Sequence, residues 1–115
     1  MNVVISDFDD TLFKRNVGLI TRTVDYLEQL NYPVYIVTFR AEDQLEFIES
    51  VLAHSGLQIA GYGFAGSRKK EPAKKLAVIR DIATRHNIVE VLDDDHEVVL
   101  QLVQAGFPAH HVSQI

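Results

Sequence analysis

The chain has 115 residues, of which 47% are hydrophobic, and this is enough for the packed core of a single domain spanning residues 1–115. Its formal net charge of −5 argues against a generally sticky nucleic-acid or membrane-surface protein, because the mean field repels phosphate groups. The absence of cysteine excludes disulfides and thiolate zinc sites. No stretch approaches the roughly 18 apolar residues of a membrane span, and no basic region opens a signal peptide, so we expect a cytoplasmic protein.

Short runs of apolar, β-branched residues alternate along the chain with longer stretches of helical periodicity. In chain order, this pattern predicts strands at 3–6, 34–37, 58–64, 89–92 and 111–113, and helices at 18–30, 41–54, 72–86 and 96–105. Such alternation is typical of βαβ units around a parallel sheet. The predicted fold class is therefore α/β, a three-layer doubly wound parallel sheet whose ligands bind beyond the carboxyl ends of the central strands.

Polar side chains follow three of these strands at the carboxyl end. They are Asp7 and Asp9 after the first strand, Thr38 and Arg40 after the second, and Asp93 and Asp94 after the fourth. Several carboxylates at one edge of a sheet stay ionised together only at a high electrostatic cost, which a cation removes. Oxygen ligands without histidine or cysteine favour Mg²⁺, so the pattern predicts a magnesium site at this edge.

The pair Asp7 and Asp9 suits catalysis of phosphoester hydrolysis. One carboxylate can attack while the other handles protons, and an aspartyl phosphate would split the hydrolysis into two easier displacements. The phosphoryl oxygens then need charge neutralisation and positioning, which the hydroxyl of Thr38 and a lysine can supply. These residues predict a Mg²⁺-dependent phosphomonoesterase.

The same residues resemble the motifs of the haloacid dehalogenase (HAD) superfamily. The run 7–12, Asp-Phe-Asp-Asp-Thr-Leu, resembles the first motif, the run 34–38 is similar to the second, and the run 91–94 looks like the acidic fourth motif. The resemblance covers essentially the whole chain in the expected order. One departure is Asp10, which stands where a glycine is common in the family.

The resemblance implies a role for each matching residue. Asp7 would be the nucleophile and Asp9 the general acid and base, and the metal ligands would be Asp7, Asp9 through its backbone carbonyl, and Asp93 or Asp94. Thr38 would bind the phosphoryl group. The phosphatase activity, the aspartyl phosphate and the Mg²⁺ cofactor are all implied with them.

The third motif of the family is a lysine near the start of the preceding helix, and here this leaves Lys74 or Lys75. The spacing from Lys74 to Asp93 resembles that in polynucleotide phosphatases, and on this basis Lys74 is predicted as the catalytic lysine. Helical phase instead places Lys75 nearer the face of Ile79 and Ile82. The choice between the two lysines stays open, with Lys75 counted among the substrate-binding residues.

The chain leaves no room for a cap domain over the site. One turn and one helix fill residues 11–33, while one helix, one strand and a loop fill residues 40–74. An open site suits a large phosphorylated substrate better than a small metabolite. The predicted substrate-binding residues besides Lys75 are Thr11, which by the resemblance would support the loop, and Arg40, whose guanidinium could hold a phosphate through two hydrogen bonds.

The pattern Thr38-x-Arg40 is similar to the phosphatase domain of polynucleotide kinase-phosphatases. Basic residues that follow the first and third strands should also crowd the catalytic face, namely Lys14, Arg15, Arg68, Lys69 and Lys70. We therefore predict a nucleic-acid 3′ or 5′ phosphate end as the substrate.

Other interpretations fit parts of the pattern. The chain could be a non-catalytic or regulatory phosphate-binding module, or a small-molecule phosphatase that a partner subunit closes. Arg40 could simply pair with Glu42 or Asp43 on the surface. His110 and His111 are interpreted as residues of a terminal strand away from the carboxylates rather than as metal ligands.

Overall fold

The computed structural model describes residues 1–115. The strands are β1 (Asn2–Ser6), β2 (Phe13–Lys14), β3 (Gly18–Leu19), β4 (Val34–Thr38), β5 (Ile59–Phe64), β6 (Asn87–Asp93) and β7 (Ala109–His111). The α-helices are α1 (Thr21–Leu30), α2 (Leu45–Leu52), α3 (Pro72–Ala83) and α4 (His96–Gln104). Short 3₁₀ turns at Glu42–Gln44 and Val112–Gln114 precede α2 and follow β7. No helix is long and apolar enough to cross a membrane.

Five of the strands form one parallel sheet in the order β5-β4-β1-β6-β7. The central strand β1 pairs with β4 on one side and β6 on the other, and the register sets Ser6 level with Ile36 and Leu92. The three strands therefore end at the same edge of the sheet. The predicted α/β fold with a parallel sheet flanked by helices is confirmed, and its loops gather the polar residues as expected.

Helices cover both faces of the sheet. One core cluster of ten buried residues packs Leu27 of α1 and Ile48 of α2 against the sheet, and a second cluster of nine packs Ile79 of α3 and Leu102 of α4. The strands lack polar alternation because both of their faces are buried.

The segment after β1 differs from the prediction. Instead of starting a helix at residue 18, the chain forms an antiparallel ribbon of β2 and β3, and α1 begins only at Thr21. Asn16 and Gly18 have φ of 67° and 104°, which favours a turn, and Phe13 and Leu19 pack against the first core cluster. The apolar ends of the ribbon are thus held by the core.

Asp10 also takes a left-handed conformation, with φ of 61°, and its N–H donates to the carbonyl of Phe13 at 2.7 Å. Aspartate tolerates this region better than most residues other than glycine. The departure from glycine at this position is therefore compatible with the tight loop.

The last strand lies two residues earlier than predicted, at Ala109–His111 rather than 111–113. Pairing begins at Pro108, whose carbonyl accepts the N–H of Val91, and Ala109 is buried in the second core cluster. The shift brings His111 to the carboxyl edge of the sheet, opposite Asp93.

Candidate active site

Asp7 lies immediately beyond β1 and is almost fully buried. Its backbone N–H donates to the carbonyl of Leu92 at 2.9 Å, and the hydroxyl of Thr11 donates to its Oδ2 at 3.1 Å. The carbonyl of Phe8 accepts the N–H groups of Leu12 and Phe13, which closes the following turn. Thr11 therefore orients the carboxylate of Asp7 from inside the loop.

Lys75 occupies the centre of the site with a side chain only 1% exposed. Its Nζ lies 2.8 Å from Oδ1 of Asp7 and 2.7 Å from Oδ2 of Asp93, and 4.5 Å from the ring centroid of Phe39. Asp7 follows β1 and Asp93 ends β6, so one ammonium group from α3 joins two neighbouring strand ends. Charged hydrogen bonds of this length are the strong ones in proteins.

The loop after β6 places its three aspartates in different roles. Asp95 caps α4 by accepting the N–H groups of Glu97 and Val98, while Asp93 accepts the N–H of Asp95 on Oδ1 at 3.0 Å. Asp93 thereby turns its other oxygen towards Lys75. Asp94 remains partly exposed beside it.

Asp7, Asp93 and Asp94 could hold a metal ion together. One carboxylate oxygen from each lies within 4.8 Å of the others. A site whose ligands are all oxygen atoms suits a hard cation such as Mg²⁺. The carboxylate of Asp9 lies outside this group of three. The predicted metal ligand of Asp9 is its backbone carbonyl, not its side chain.

The electrostatics of the site also favour an added cation. Burial raises the pKa of Asp7 to about 7 although Lys75 opposes this, and burial together with Asp7 raises the pKa of Asp93 to about 6. Burial lowers the pKa of Lys75, but the two carboxylates more than offset it, and the net pKa is raised. Lys75 therefore does not compensate for the burial of the two carboxylates, and a further cation would favour their ionised forms.

Arg40 and Asp9 form a bidentate ion pair at the mouth of the site. Nε and Nη2 of Arg40 donate to the two carboxylate oxygens of Asp9, each at 2.8 Å. Nη1 of Arg40 donates to Gln44, and the guanidinium lies over the rings of Phe8 and Phe47. The pairing of Arg40 with Glu42 or Asp43 considered from the sequence is not the one that forms.

The structure brings Lys75, and not Lys74, to the carboxylates. Lys74 is half exposed, and its Nζ lies 3.7 Å from Glu71 on the outer side of α3. The reason is helical phase, since Lys75 shares the buried face of α3 with Ile79 and Ile82. The spacing to Asp93, which favoured Lys74, carries no information on which face of the helix a side chain occupies, whereas helical phase indicated Lys75.

Thr38 lies buried at the end of β4, where its hydroxyl accepts the N–H of Arg40 at 3.1 Å. Of the predicted basic residues, Lys70 lines the cavity between the strand ends, while Arg68 and Lys69 are exposed on the same loop. Lys14 and Arg15 are exposed on the ribbon after β1. Of the basic residues predicted to crowd this face, only Lys70 therefore lines the cavity itself.

His111 corrects one sequence interpretation. Its Nε2 lies 2.7 Å from the backbone carbonyl of Asp94, and its ring stacks on His96 with centroids 4.1 Å apart. It contacts the acidic loop because β7 ends at His111, two residues earlier than predicted. The sequence interpretation did not include the pairing of β7 with β6, which brings His111 close to the acidic loop.

The site opens as a small cavity of about 100 Å³. Nine residues line it: Asp7, Asp9, Asp10, Phe39, Lys70, Lys75, Asp93, Asp94 and Asp95. Pockets that enclose a whole small-molecule ligand measure roughly 300–1,000 Å³. This cavity matches a phosphoryl group with a metal ion, and the rest of a substrate would lie outside.

Comparison with known proteins gives structural likeness only. No family model and no curated protein matches the chain. A chain of the solved Pnkp1/Rnl/Hen1 RNA repair complex is similar to 96% of it, with a TM-score of 0.79 and 20% identity, and a chain of a second Pnkp1/Rnl/Hen1 complex gives 96%, 0.79 and 21%. This protein spans 42% and 45% of those chains. The likeness shows a shared fold.

Replacing Lys75 should be far more destabilising than replacing its neighbour. Lys75→Met leaves two buried carboxylates without their cation and should lower the free energy of unfolding by about 3 kcal/mol in Mg²⁺-free buffer near neutral pH. Lys74→Met is the matched control and should cost less than about 0.5 kcal/mol, because its side chain is exposed. Urea unfolding measures both, and equal losses would contradict the assigned geometry.

Stability should depend on pH and Mg²⁺ together. The folded protein binds protons on Asp7 and Asp93 that the unfolded chain has released, so their contribution to the free energy of unfolding falls as pH rises from about 4 to about 7. A metal ion must displace these protons, so Mg²⁺ should raise the Tm by about 4 °C or more near pH 8 and by much less near pH 5.5. Calorimetry with and without Mg²⁺ measures this.

Asp93→Asn is the control for the calorimetric experiment, because it removes one of the three carboxylates that could hold a metal ion. This variant should lose most of the stabilisation by Mg²⁺ at the higher pH. An equal rise in Tm at both pH values would show that the ion does not compete with protons for these carboxylates.

Proposed function

We propose that the protein is a HAD-type, Mg²⁺-dependent phosphomonoesterase that works through an aspartyl phosphate on Asp7. The observation that carries the proposal is the contact of Lys75 with Asp7 and Asp93, at 2.8 and 2.7 Å, beside a third carboxylate and within a cavity of phosphoryl size. A reactive carboxylate, a fixed cation and ligands for a metal are the groups that phosphoryl transfer requires.

In the proposed reaction, a carboxylate oxygen of Asp7 attacks the phosphorus and the bond to the leaving oxygen breaks. Asp9 donates a proton to that oxygen, and the substrate leaves as an alcohol. Asp9 then accepts a proton from water as the water oxygen attacks the phosphorus, which releases inorganic phosphate and regenerates Asp7. Lys75 and the hydroxyl of Thr38 would bind the phosphoryl oxygens.

Asp7, Asp93 and Asp94 would hold Mg²⁺, with the backbone carbonyl of Asp9 as a further ligand. The ion would neutralise charge on the phosphoryl oxygens. It would also favour the ionised form of Asp7, which burial disfavours. Lys74, on the outer side of α3, has no part in this scheme.

Arg40 serves in this scheme to position Asp9. Its two hydrogen bonds fix both oxygens of the Asp9 carboxylate, and the rings of Phe8 and Phe47 support the guanidinium at 5.5 and 5.2 Å. An arriving phosphate would draw the same guanidinium towards itself, which would free Asp9 for proton transfer. Arg40 would thus both bind the substrate phosphate, as predicted, and position the carboxylate of Asp9.

Nucleic-acid phosphate ends are the substrates we propose. The cavity would accept a phosphoryl group and leave the remainder of the substrate outside. Lys70 lines the cavity, Lys69 is exposed on the same loop, and Lys14 and Arg15 are exposed on the ribbon after β1. The similarity of fold to chains of RNA repair complexes agrees with a role in processing nucleic-acid ends. Terminal phosphates are exposed and need no enclosing cap.

The proposal is tested by phosphate release from p-nitrophenyl phosphate and from oligonucleotides phosphorylated at the 3′ or the 5′ end. Release should require Mg²⁺ and should fall to background in Asp7→Asn. Asp9→Asn should lower kcat/KM by about 10²–10⁴-fold for an oligonucleotide, whose alcohol needs a proton, and by much less for nitrophenol, which leaves without one.

Asp25→Asn on the exposed side of α1 is the matched control and should keep the wild-type rates. Turnover that persists in Asp7→Asn would overturn the proposed nucleophile. Folded, Mg²⁺-loaded protein that releases no phosphate from any of the substrates would favour a phosphate-binding module instead.

A further inference from the structure

A groove lies next to the catalytic cavity and is built from different residues. Phe13, Arg15, Arg40, Gln44 and Phe47 line it, and we call it the aromatic groove. Its walls come from the ribbon after β1 and from the segment that leads from β4 into α2. No acidic residue lines it, although the protein is acidic as a whole.

Phe47 is unusual among the surface residues. It is 42% exposed and is the only aromatic residue among the large exposed hydrophobic side chains of this structure. Its ring meets those of Phe13 and Phe8 edge to face, with centroids 5.6 and 6.3 Å apart, and Phe8 and Phe13 stack on each other at 5.1 Å. The three rings give Phe47 a fixed orientation while it remains open to solvent.

Arg40 connects the aromatic groove to the catalytic cavity. Its guanidinium carbon lies 5.2 Å from the ring centroid of Phe47, while Nε and Nη2 of the same group bind Asp9. The groove therefore begins one side chain away from the proposed general acid. A substrate whose phosphate occupies the cavity would carry its next chemical group directly into this groove.

The lining of the groove matches the base of a nucleotide. Exposed aromatic side chains stack on nucleobases without regard to sequence, and arginine adds a cation–π contribution and attracts the neighbouring phosphodiester. Arg15 is exposed beside the rings and supplies that charge. An acidic peptide would find the same positive charge, but its carboxylates offer no aromatic surface to stack against Phe47.

We propose that the aromatic groove binds the base of the terminal nucleotide of a single-stranded, end-phosphorylated nucleic acid, by stacking against Phe47. The inference rests on the proposed function for the place of the phosphate. It adds a binding site for the base outside the catalytic machinery, and it makes the substrate a nucleotide end rather than any accessible phosphomonoester.

The test compares two oligothymidylates that carry the same terminal phosphate, at whichever end the wild type hydrolyses faster. They differ only in the terminal nucleotide, which has its base in one and is abasic in the other. For the wild type, kcat/KM should be at least about five-fold higher for the oligonucleotide with the terminal base than for the abasic one, as expected for one stacked base. Phe47→Leu keeps an apolar side chain but should bring the ratio of the two kcat/KM values close to one.

Two further variants make the comparison specific. Phe47→Trp retains an aromatic ring and should keep or increase the ratio. Leu100→Ala removes an exposed apolar side chain from α4, which packs on the opposite face of the sheet, and should leave the ratio unchanged. Because each ratio is taken within one protein, a general loss of activity or folded protein cancels.

Binding separates this inference from the proposed function. Fluorescence anisotropy with Asp7→Asn protein measures Kd without turnover for both oligonucleotides, phosphorylated either at the 3′ or at the 5′ end. The same preference for the base should appear, and it should depend on Phe47. If no substrate is hydrolysed but this preference is present, the phosphatase proposal fails and the groove assignment stands. Equal ratios for wild type and Phe47→Leu, in hydrolysis or in binding, would overturn the groove assignment.

Discussion

The buried contact of Lys75 with Asp7 and Asp93 is the interaction on which the rest of the site depends. A buried ammonium group is costly unless charged oxygens surround it, and a buried carboxylate is equally costly without a cation. Neither strand end could be buried alone at this edge of the sheet. The side chain from α3 allows β1 and β6 to end next to each other, with their carboxylates facing the same small cavity.

The same interaction leaves the site with unbalanced charge. Three carboxylates, from Asp7, Asp93 and Asp94, approach one another within 4.8 Å around a single lysine. Burial is the main reason why the pKa of Asp7 rises to about 7 and that of Asp93 to about 6, and the neighbouring carboxylates add to it. A divalent cation bound by these carboxylates would offset their negative charge.

The pair of Arg40 and Asp9 extends the site outward. The carboxylate of Asp9 pairs with a guanidinium that rests on the aromatic cluster of Phe8 and Phe47, apart from the group formed by Asp7, Asp93 and Asp94. The carboxylate of Asp9 is thereby kept partly exposed, while Asp7 stays buried and oriented by Thr11. Two carboxylates spaced two residues apart thus acquire different environments, as different chemical roles require.

Much of this arrangement was predictable because parallel strands end at one edge. The sequence placed Asp7, Thr38 and Asp93 at strand ends, and the sheet order brings those ends together. The direction of a side chain was harder to predict. Lys74 and Lys75 differ by one helical position, and the bidentate pair of Arg40 with Asp9 joins two loops that are far apart in the sequence. The ribbon from Phe13 to Leu19 was missed because its strands have only two residues each and carry no periodicity.

The central claim is that Asp7 takes the phosphoryl group from the substrate, and the most direct measurement looks for that bond. Wild-type protein is mixed in excess with a phosphorylated oligonucleotide and Mg²⁺, quenched in acid within the first turnover, digested and examined by mass spectrometry. We predict one phosphoryl group on the peptide that contains Asp7. Borohydride should reduce the phosphorylated side chain of Asp7 and so convert this residue to homoserine. Release of phosphate with no labelled peptide, or with the label on another residue, would contradict the account.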